Sequence, residues 1–122
     1  MNTRSSKPRK QRKALATAPL HRRSKELRAH LDPAKYGSSR IKRVTLRTGD
    51  TVKVVRGSRQ GHEGKISKVD LKKCRVAIER ALLQKADNKE VSLWFDPSNL
   101  LVTKVDLSDP VRREKFNSLS EE

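Results

Sequence analysis

Basic side chains surround closely spaced glycines in the middle of the sequence. Gly57, Gly61 and Gly64 follow a short valine-rich stretch. Glycine readily adopts positive φ and lets a backbone approach another surface closely. Backbone amides and neighbouring cations are groups that proteins use to contact the phosphate oxygens of nucleic acids. We therefore predict a phosphate-binding loop, formed by Arg56, Gly57, Ser58, Arg59, Gly61, His62 and Lys65.

The overall charge indicates the same kind of partner. The chain has 30 Lys and Arg against 14 Asp and Glu, a formal net charge of +16. Residues 1–43 hold 14 basic and two acidic side chains, so the first third carries +12 of this excess. A nearby polyanion relieves the self-repulsion of such a chain. The pattern favours nucleic acid over an anionic membrane surface, and over a tail that is merely solvated.

The basic N-terminal region divides into two segments. Residues 1–19 lack apolar periodicity, so we predict an arm that is disordered when free and orders on RNA. A helix over His21–Leu31 is predicted next, within a helix-and-linker segment spanning residues 20–40, because leucines recur on one helical face and Asp32-Pro33 ends it. The predicted RNA contacts of this region are Arg9, Lys10, Arg12, Lys13, His21, Arg22, Arg23, Lys25, Arg28, Arg40, Lys42 and Arg43.

Short strands dominate the chain from about Ile41 onward. Apolar residues alternate with polar ones in several runs, and turn signals at residues 57–61, 70–73, 87–88 and 96–99 separate these runs. The pattern predicts a mainly β fold, a small antiparallel barrel over residues 41–106. Ser108-Asp109-Pro110 is a helix-start signal. It predicts a short C-terminal helix through Phe116, within a helix and tail at 107–122.

The stretch from Thr48 to Glu79, TGDTVKVVRGSRQGHEGKISKVDLKKCRVAIE, resembles the KOW motif. That motif occurs in SH3-like barrels of ribosomal proteins and of NusG and Spt5 transcription factors. The flanking stretches LHRRSKELRAHL, KYGSSRIKRVTLRTGD and DPSNLLVTKVDLSD extend the similarity over most of the chain. They resemble the archaeal and eukaryotic form of the universal large-subunit ribosomal protein twenty-four, called twenty-six in eukaryotes.

This resemblance implies a structural protein of the large ribosomal subunit, located on cytoplasmic ribosomes. It implies that residues 41–106 form an SH3-like KOW barrel. It further implies binding to large-subunit rRNA of the 23S type near its 5′ end, help in early subunit assembly and a position near the polypeptide exit. Neighbouring large-subunit proteins and factors at the nascent-chain exit would then be partners. The sequence lacks the long basic C-terminal tail of eukaryotic members, which favours an archaeal member.

Two other functional classes fit the sequence less well. A KOW-domain transcription elongation factor should carry a separate α/β domain before the motif, and residues 1–43 are too short and too basic for one. An enzyme such as a small nuclease needs a carboxylate cluster with metal-ligand spacing, which the sequence does not offer. We predict no catalytic residue, metal or cofactor. We also predict no membrane span, since no apolar run approaches ~20 residues.

Four residues allow alternative interpretations. Cys74 lies among Lys72, Lys73 and Arg75, which would lower the pKa of its thiol, but we interpret it as an ordinary residue at a strand start. Asp50 and Glu63 could be taken as an acid–base pair, but we predict that Asp50 caps a turn and that Glu63 orients a neighbouring Arg or Lys. Trp94 lies on the face of its strand opposite Phe95, where it either packs under the N-terminal helix or contacts RNA.

Overall fold

The computed structural model describes residues 4–37 and 40–120, with side chains up to residue 118. The strands are β1 (Arg28–Leu31), β2 (Arg43–Thr45), β3 (Thr51–Val54), β4 (Glu63–Asp70), β5 (Arg75–Gln84), β6 (Glu90–Phe95) and β7 (Leu100–Lys104). The helices are α1 (Pro8–Thr17), α2 (Leu20–Arg23), α3 (Pro33–Tyr36) and α4 (Pro110–Ser120), with 3₁₀ turns at Ser24–Glu26 and Pro97–Asn99. The predicted mainly β class is confirmed. Among the described residues, no helix has the length and apolarity to cross a bilayer.

The seven strands form one mixed sheet in the order β2-β1-β7-β3-β4-β5-β6. Neighbouring strands are antiparallel except β1 and β7, which run parallel with His30 opposite Leu101 and Leu31 opposite Val102. The expectation of a purely antiparallel sheet is therefore wrong for this pair. Parallel pairing requires a long connection, and β1 and β7 come from opposite ends of the sheet's sequence. The arrangement is consistent with a small β-barrel.

The core forms where the sequence alternation predicts it. Val52 and Val54 on β3 are fully buried, while Lys53 between them is exposed. The core continues through the neighbouring strands with Ile66, Val76, Ile78, Leu100 and Val102. The four predicted turns all separate strands in the structure. Side-chain period, together with turn chemistry, therefore located β3 to β7 correctly.

The segment after α2 corrects the predicted helix over His21–Leu31. Helix α2 ends at Arg23, a 3₁₀ turn follows, and Arg28–Leu31 is strand β1. Leu27, Ala29 and Leu31 are buried in the core, whereas Leu20 is exposed. Pairing with β2 and β7 satisfies the backbone of β1 on both sides. The sheet therefore begins at Arg28, earlier than the predicted start at Ile41.

Helix α1 lies within the arm for which we predicted disorder in the free protein. No residue of this described helix is buried, and an exposed helix of this length is marginal in isolation. Arg23 holds its C-terminal end, because the guanidinium donates to the carbonyl oxygens of Ala16 and Ala18 and, at 2.7 Å, to that of Lys72. The ordering of residues 1–19 on RNA stays a prediction.

Helix α4 begins at the predicted signal and continues beyond Phe116 to Ser120. Asp109 accepts the amide of Val111 at 3.1 Å, as a capping residue does. The helix is fixed to the sheet by Arg112, whose guanidinium contacts both carboxylate oxygens of Asp50 at 2.7 and 2.8 Å. Asp50 also accepts the amide of Arg47, which confirms its predicted turn role. The buried ion pair was not predicted.

Candidate nucleic-acid interface

Residues 55–62, which we call the glycine loop, form a closed turn between β3 and β4. The amide of Gly61 donates to the carbonyl of Val54 at 2.8 Å, and the amide of Val54 donates to that of His62 at 2.9 Å. Gly57 and Gly61 have φ of 94° and 92°, and a Cβ at either position would meet open space. Backbone conformation, not crowding, therefore requires these glycines. Residues 56–61 of the loop are exposed to solvent.

Two predicted side chains of the glycine loop are engaged by β5. Arg59 donates to the carbonyl of Leu82 at 2.8 Å, and His62 Nε2 lies 3.1 Å from the carbonyl oxygen of Glu79. Both side chains thus brace the loop against the sheet. Arg56 and Ser58 are exposed. Of the loop's predicted contacts, Arg56 is the cation positioned best to meet a phosphate.

The structure brings Arg56 together with two other basic residues. Arg56, His30 and Lys42 line one groove between the glycine loop, β1 and the segment before β2. Tyr36 and Leu101 contribute apolar surface to the same groove. Arg56 is distant in sequence from the other two, and the three meet only because β1 pairs with β7. Arg56 and Lys42 were predicted contacts, whereas His30 was not.

A second basic groove follows the edge strand β2. Arg28 and Arg43 line it, together with Arg47 and Lys115. The last two residues were missed by the sequence analysis. The run Arg40–Arg47 signalled Arg47, since basic residues recur closely there, but Lys115 arrives through helix packing and had no local signal.

The remaining predicted cations are dispersed. Arg12 and Arg23 lie beside the β4–β5 turn, near the unpredicted Lys72 and Lys73, and Arg23 is occupied by backbone carbonyls. Lys65 lies on β4 opposite Thr51, away from the glycine loop's tip. The others are exposed on or near the N-terminal helices and linker: Arg9, Lys10, Lys13, His21, Arg22, Lys25 and Arg40.

The aspartates behave differently from the basic side chains. Every aspartate in the chain accepts a hydrogen bond from a backbone amide, and for all except Asp50 the donor is two residues ahead. This geometry is typical of Asx turns and caps. The amide of Ser108 lowers the pKa of Asp106, and the Arg47 side chain lowers the pKa of Asp109. The aspartates are thus committed to the fold, while most predicted cations face solvent.

Cys74 departs from its predicted chemistry. It occupies the turn just before β5 with φ of 54°, and its thiol donates weakly to the carbonyl of Leu71. Burial raises the pKa of this thiol, and the opposing effect of the nearby Arg23 is smaller. The expected lowering by Lys72, Lys73 and Arg75 is therefore wrong. Within residues 4–37 and 40–120, no group of His, Cys, Asp and Glu side chains could hold a metal ion.

Alkylation should report this raised pKa. We expect iodoacetamide at pH 8 to modify Cys74 several-fold more slowly than a cysteine in a short unstructured peptide, because less of the thiol is ionised. The measurement is the rate of mass increase. Unfolding the protein in urea should bring the rate to the peptide value, and a native rate faster than the peptide's would contradict the assignment.

A small mainly β core surrounded by exposed cations defines a small, strongly basic β protein. The comparison with known proteins makes this more specific. Residues 5–118 match the family model that describes the eukaryotic ribosomal proteins L26 and their archaeal counterparts, numbered twenty-four. The chain belongs to this family of ribosomal proteins.

Individual archaeal relatives agree. The chain is 48% identical to "Large ribosomal subunit protein uL24" of Saccharolobus solfataricus over 112 residues, covering 92% of this chain and 94% of the relative. It is 44% identical to the protein of that name from Methanoculleus marisnigri, covering 92% and 93%. For Methanosphaera stadtmanae the identity is 42%, covering 93% and 97%.

Membership in this family decides several predictions. It confirms a structural constituent of the large ribosomal subunit, hence a protein of cytoplasmic ribosomes, and it confirms that the chain is not an enzyme. These relatives are archaeal, in agreement with the expected archaeal membership. They give no support to a transcription elongation factor.

Proposed function

We propose that this ribosomal protein binds large-subunit rRNA near its 5′ end through the exposed cations of α1, the two basic grooves and the glycine loop. The observation that carries the proposal is the contrast between aspartates held by backbone amides and cations left exposed. The surface has uncompensated positive charge, because 30 Lys and Arg stand against 14 Asp and Glu. RNA phosphates neutralise such charge and release counterions, which favours binding.

The binding mode follows from the groups on offer. Guanidinium, ammonium and backbone N–H groups contact phosphate oxygens without reading sequence. The major groove of A-form RNA is too narrow for side chains, so recognition depends mainly on backbone shape. The barrel, proposed here to be of the SH3-like KOW type, acts as a rigid scaffold that holds the grooves at fixed spacing.

The resemblance to the ribosomal family supports the further parts of the proposal. The protein assists early assembly of the subunit and lies near the polypeptide exit, beside neighbouring ribosomal proteins and factors at the nascent chain. Residues 1–19 order when they contact RNA.

Fractionation of a cell extract tests whether the protein is bound to the ribosome. The chain should sediment with large subunits after a moderate salt wash. Recovery with RNA polymerase would instead support the elongation-factor class.

Neutralising the cations of α1 should weaken RNA binding. We expect the variant with Arg9, Lys10, Arg12 and Lys13 changed to Gln to bind a transcript of the 5′ region of large-subunit rRNA less tightly. The slope of log K against log salt should fall by about 0.7 to 0.9 per lost phosphate contact, or about 3 in total. Filter binding between roughly 50 and 300 mM KCl, the range in which such contacts are salt-sensitive, measures it.

A second quadruple variant provides the control. Lys85, Lys89, Lys104 and Arg113 are exposed and lie outside the predicted interface. Changing all four to Gln removes the same charge. Because α1 contributes nothing to the core and the four control residues are exposed, neither variant should alter thermal stability much. Equal slopes for the two variants would contradict a specific role for α1.

A further inference from the structure

Trp94 is the one tryptophan of the chain and is incompletely covered by the protein. It lies on β6 with 42% of its surface exposed. Phe95, its neighbour on the strand, packs against the core. Strand alternation therefore places Trp94 on the outer face of the sheet. An indole with one side open to solvent is common where an aromatic ring meets a binding partner.

The outer face of the sheet fixes the position of this indole. Lys68 on β4, Ala77 on β5 and Trp94 on β6 lie directly opposite one another across the three strands. Opposite residues of antiparallel strands share a face. Ala77 is fully buried although it points away from the core residues Val76 and Ile78. Larger neighbours on the outer face, such as Trp94, therefore cover Ala77, and the exposed part of the indole offers an aromatic surface, which we call the platform.

Two lysines lie beside the platform. Lys68 and Lys72 line the same groove as Trp94, and Leu20 and Leu71 complete its apolar part. Among the described residues that line the groove, the one carboxylate belongs to Asp70, whose Oδ1 accepts the amides of Lys72 and Lys73 at 2.9 and 3.2 Å. Two lysines therefore flank the aromatic surface, and backbone amides hold the Asp70 carboxylate in place.

We propose that an unpaired nucleobase of rRNA stacks on the indole of Trp94, with its flanking phosphates on Lys68 and Lys72. This inference rests on the proposed function and specifies a site for it away from the glycine loop. Splayed bases in RNA loops and bulges are commonly recognised by stacking on aromatic side chains. A neighbouring protein segment would gain little from the two lysines, so charge complementarity favours RNA.

The single tryptophan makes the test direct. The intact protein is titrated with the 5′-region transcript while indole fluorescence is followed, since all of the signal comes from Trp94. Stacking should quench it in step with binding. Trp94→Ala should weaken binding about tenfold or more, because alanine substitution of a base-stacking aromatic has an effect of that order. Trp94→Tyr should retain most of the affinity, and the salt slope should stay unchanged in both variants.

Leu83→Ala is the matched control, since Leu83 is a similarly exposed apolar residue of the same hairpin outside the groove. Its affinity should equal that of the parent. Circular dichroism confirms that each variant is folded, and Trp94→Tyr keeps the test valid if Trp94→Ala unfolds. Normal salt-dependent binding without quenching, or with full affinity in Trp94→Ala, overturns the base site but leaves the proposed function intact. Failure of the parent protein to bind the transcript overturns both.

Discussion

Replacing Asp50 with Asn is expected to destabilise the protein by about 3 to 5 kcal/mol, because it leaves the Arg112 charge buried without a counter-ion. The Asp50 side chain is fully buried and that of Arg112 is only 9% exposed. Arg112 also donates to the carbonyls of Thr45 and Asp106 at 2.9 Å. One guanidinium therefore joins β2, the turn before β3 and the segment after β7 to helix α4.

Chemical and thermal unfolding measure this loss. A change of that size should lower the midpoint temperature by about 10 to 20 °C. The chain provides a matched control in the Arg47–Asp109 pair, which has a similar separation of 2.7 Å but side chains 53% and 41% exposed. Arg47→Gln should cost less than about 1 kcal/mol, since exposed pairs contribute little. Equal costs for the two variants would contradict the buried-pair argument.

A double variant separates the pair from its single partners. Asp50→Asn combined with Arg112→Met removes both charges from the buried site. Its destabilisation should be smaller than the sum of the two single changes, because the second change removes the charge that the first left unpaired. Additive losses would show that each residue acts through separate contacts.

The Asp50–Arg112 pair shows which contacts can be predicted from the sequence and which cannot. Asp50 follows a glycine before a strand, and this local pattern predicted its role in the turn, where it accepts the amide of Arg47. Its partner Arg112 lies 62 positions later on a helix. No local period or spacing links the two residues, so only the folded chain reveals the contact.

Strand β1 was missed for a related reason. Leu27 and Leu31 are four residues apart, a spacing that a helix and a strand both accommodate on one face. Ala29 decides between the two, because its burial between them gives the period of two that belongs to a strand. A single alanine is a weak apolar signal. The partner that favours the strand, β7, lies far along the sequence.

The candidate interface was likewise only partly predictable from the sequence. Composition predicted that Arg and Lys face a polyanion, and most predicted cations are exposed. Composition could not predict that Arg23 and Arg59 are occupied by backbone carbonyls. Nor could it predict that Cys74 is buried enough to raise the pKa of its thiol. Residue type determines the charge of a side chain, whereas tertiary contacts determine whether that side chain can contact RNA.

Deleting residues 1–43 is expected to unfold the protein, whereas deleting residues 1–18 should leave it folded. The larger deletion removes β1, which lies inside the sheet between β2 and β7. It takes the buried Leu27, Ala29 and Leu31 out of the core. Truncating one buried leucine costs about 2 to 5 kcal/mol, and a domain of this size has only about 5 to 15 kcal/mol in total.

Circular dichroism during heating distinguishes the two truncations. The variant without residues 1–43 should show no cooperative transition, and the variant without residues 1–18 should melt within a few degrees of the full chain. A full-length midpoint for the larger deletion would show that β1 is dispensable. If the expected result is found, loss of RNA binding after the larger deletion reflects unfolding and says nothing about the arm. The arm's contribution must then be measured in the shorter truncation, where the seven-stranded sheet and both basic grooves remain and only α1 and its flanking residues are absent.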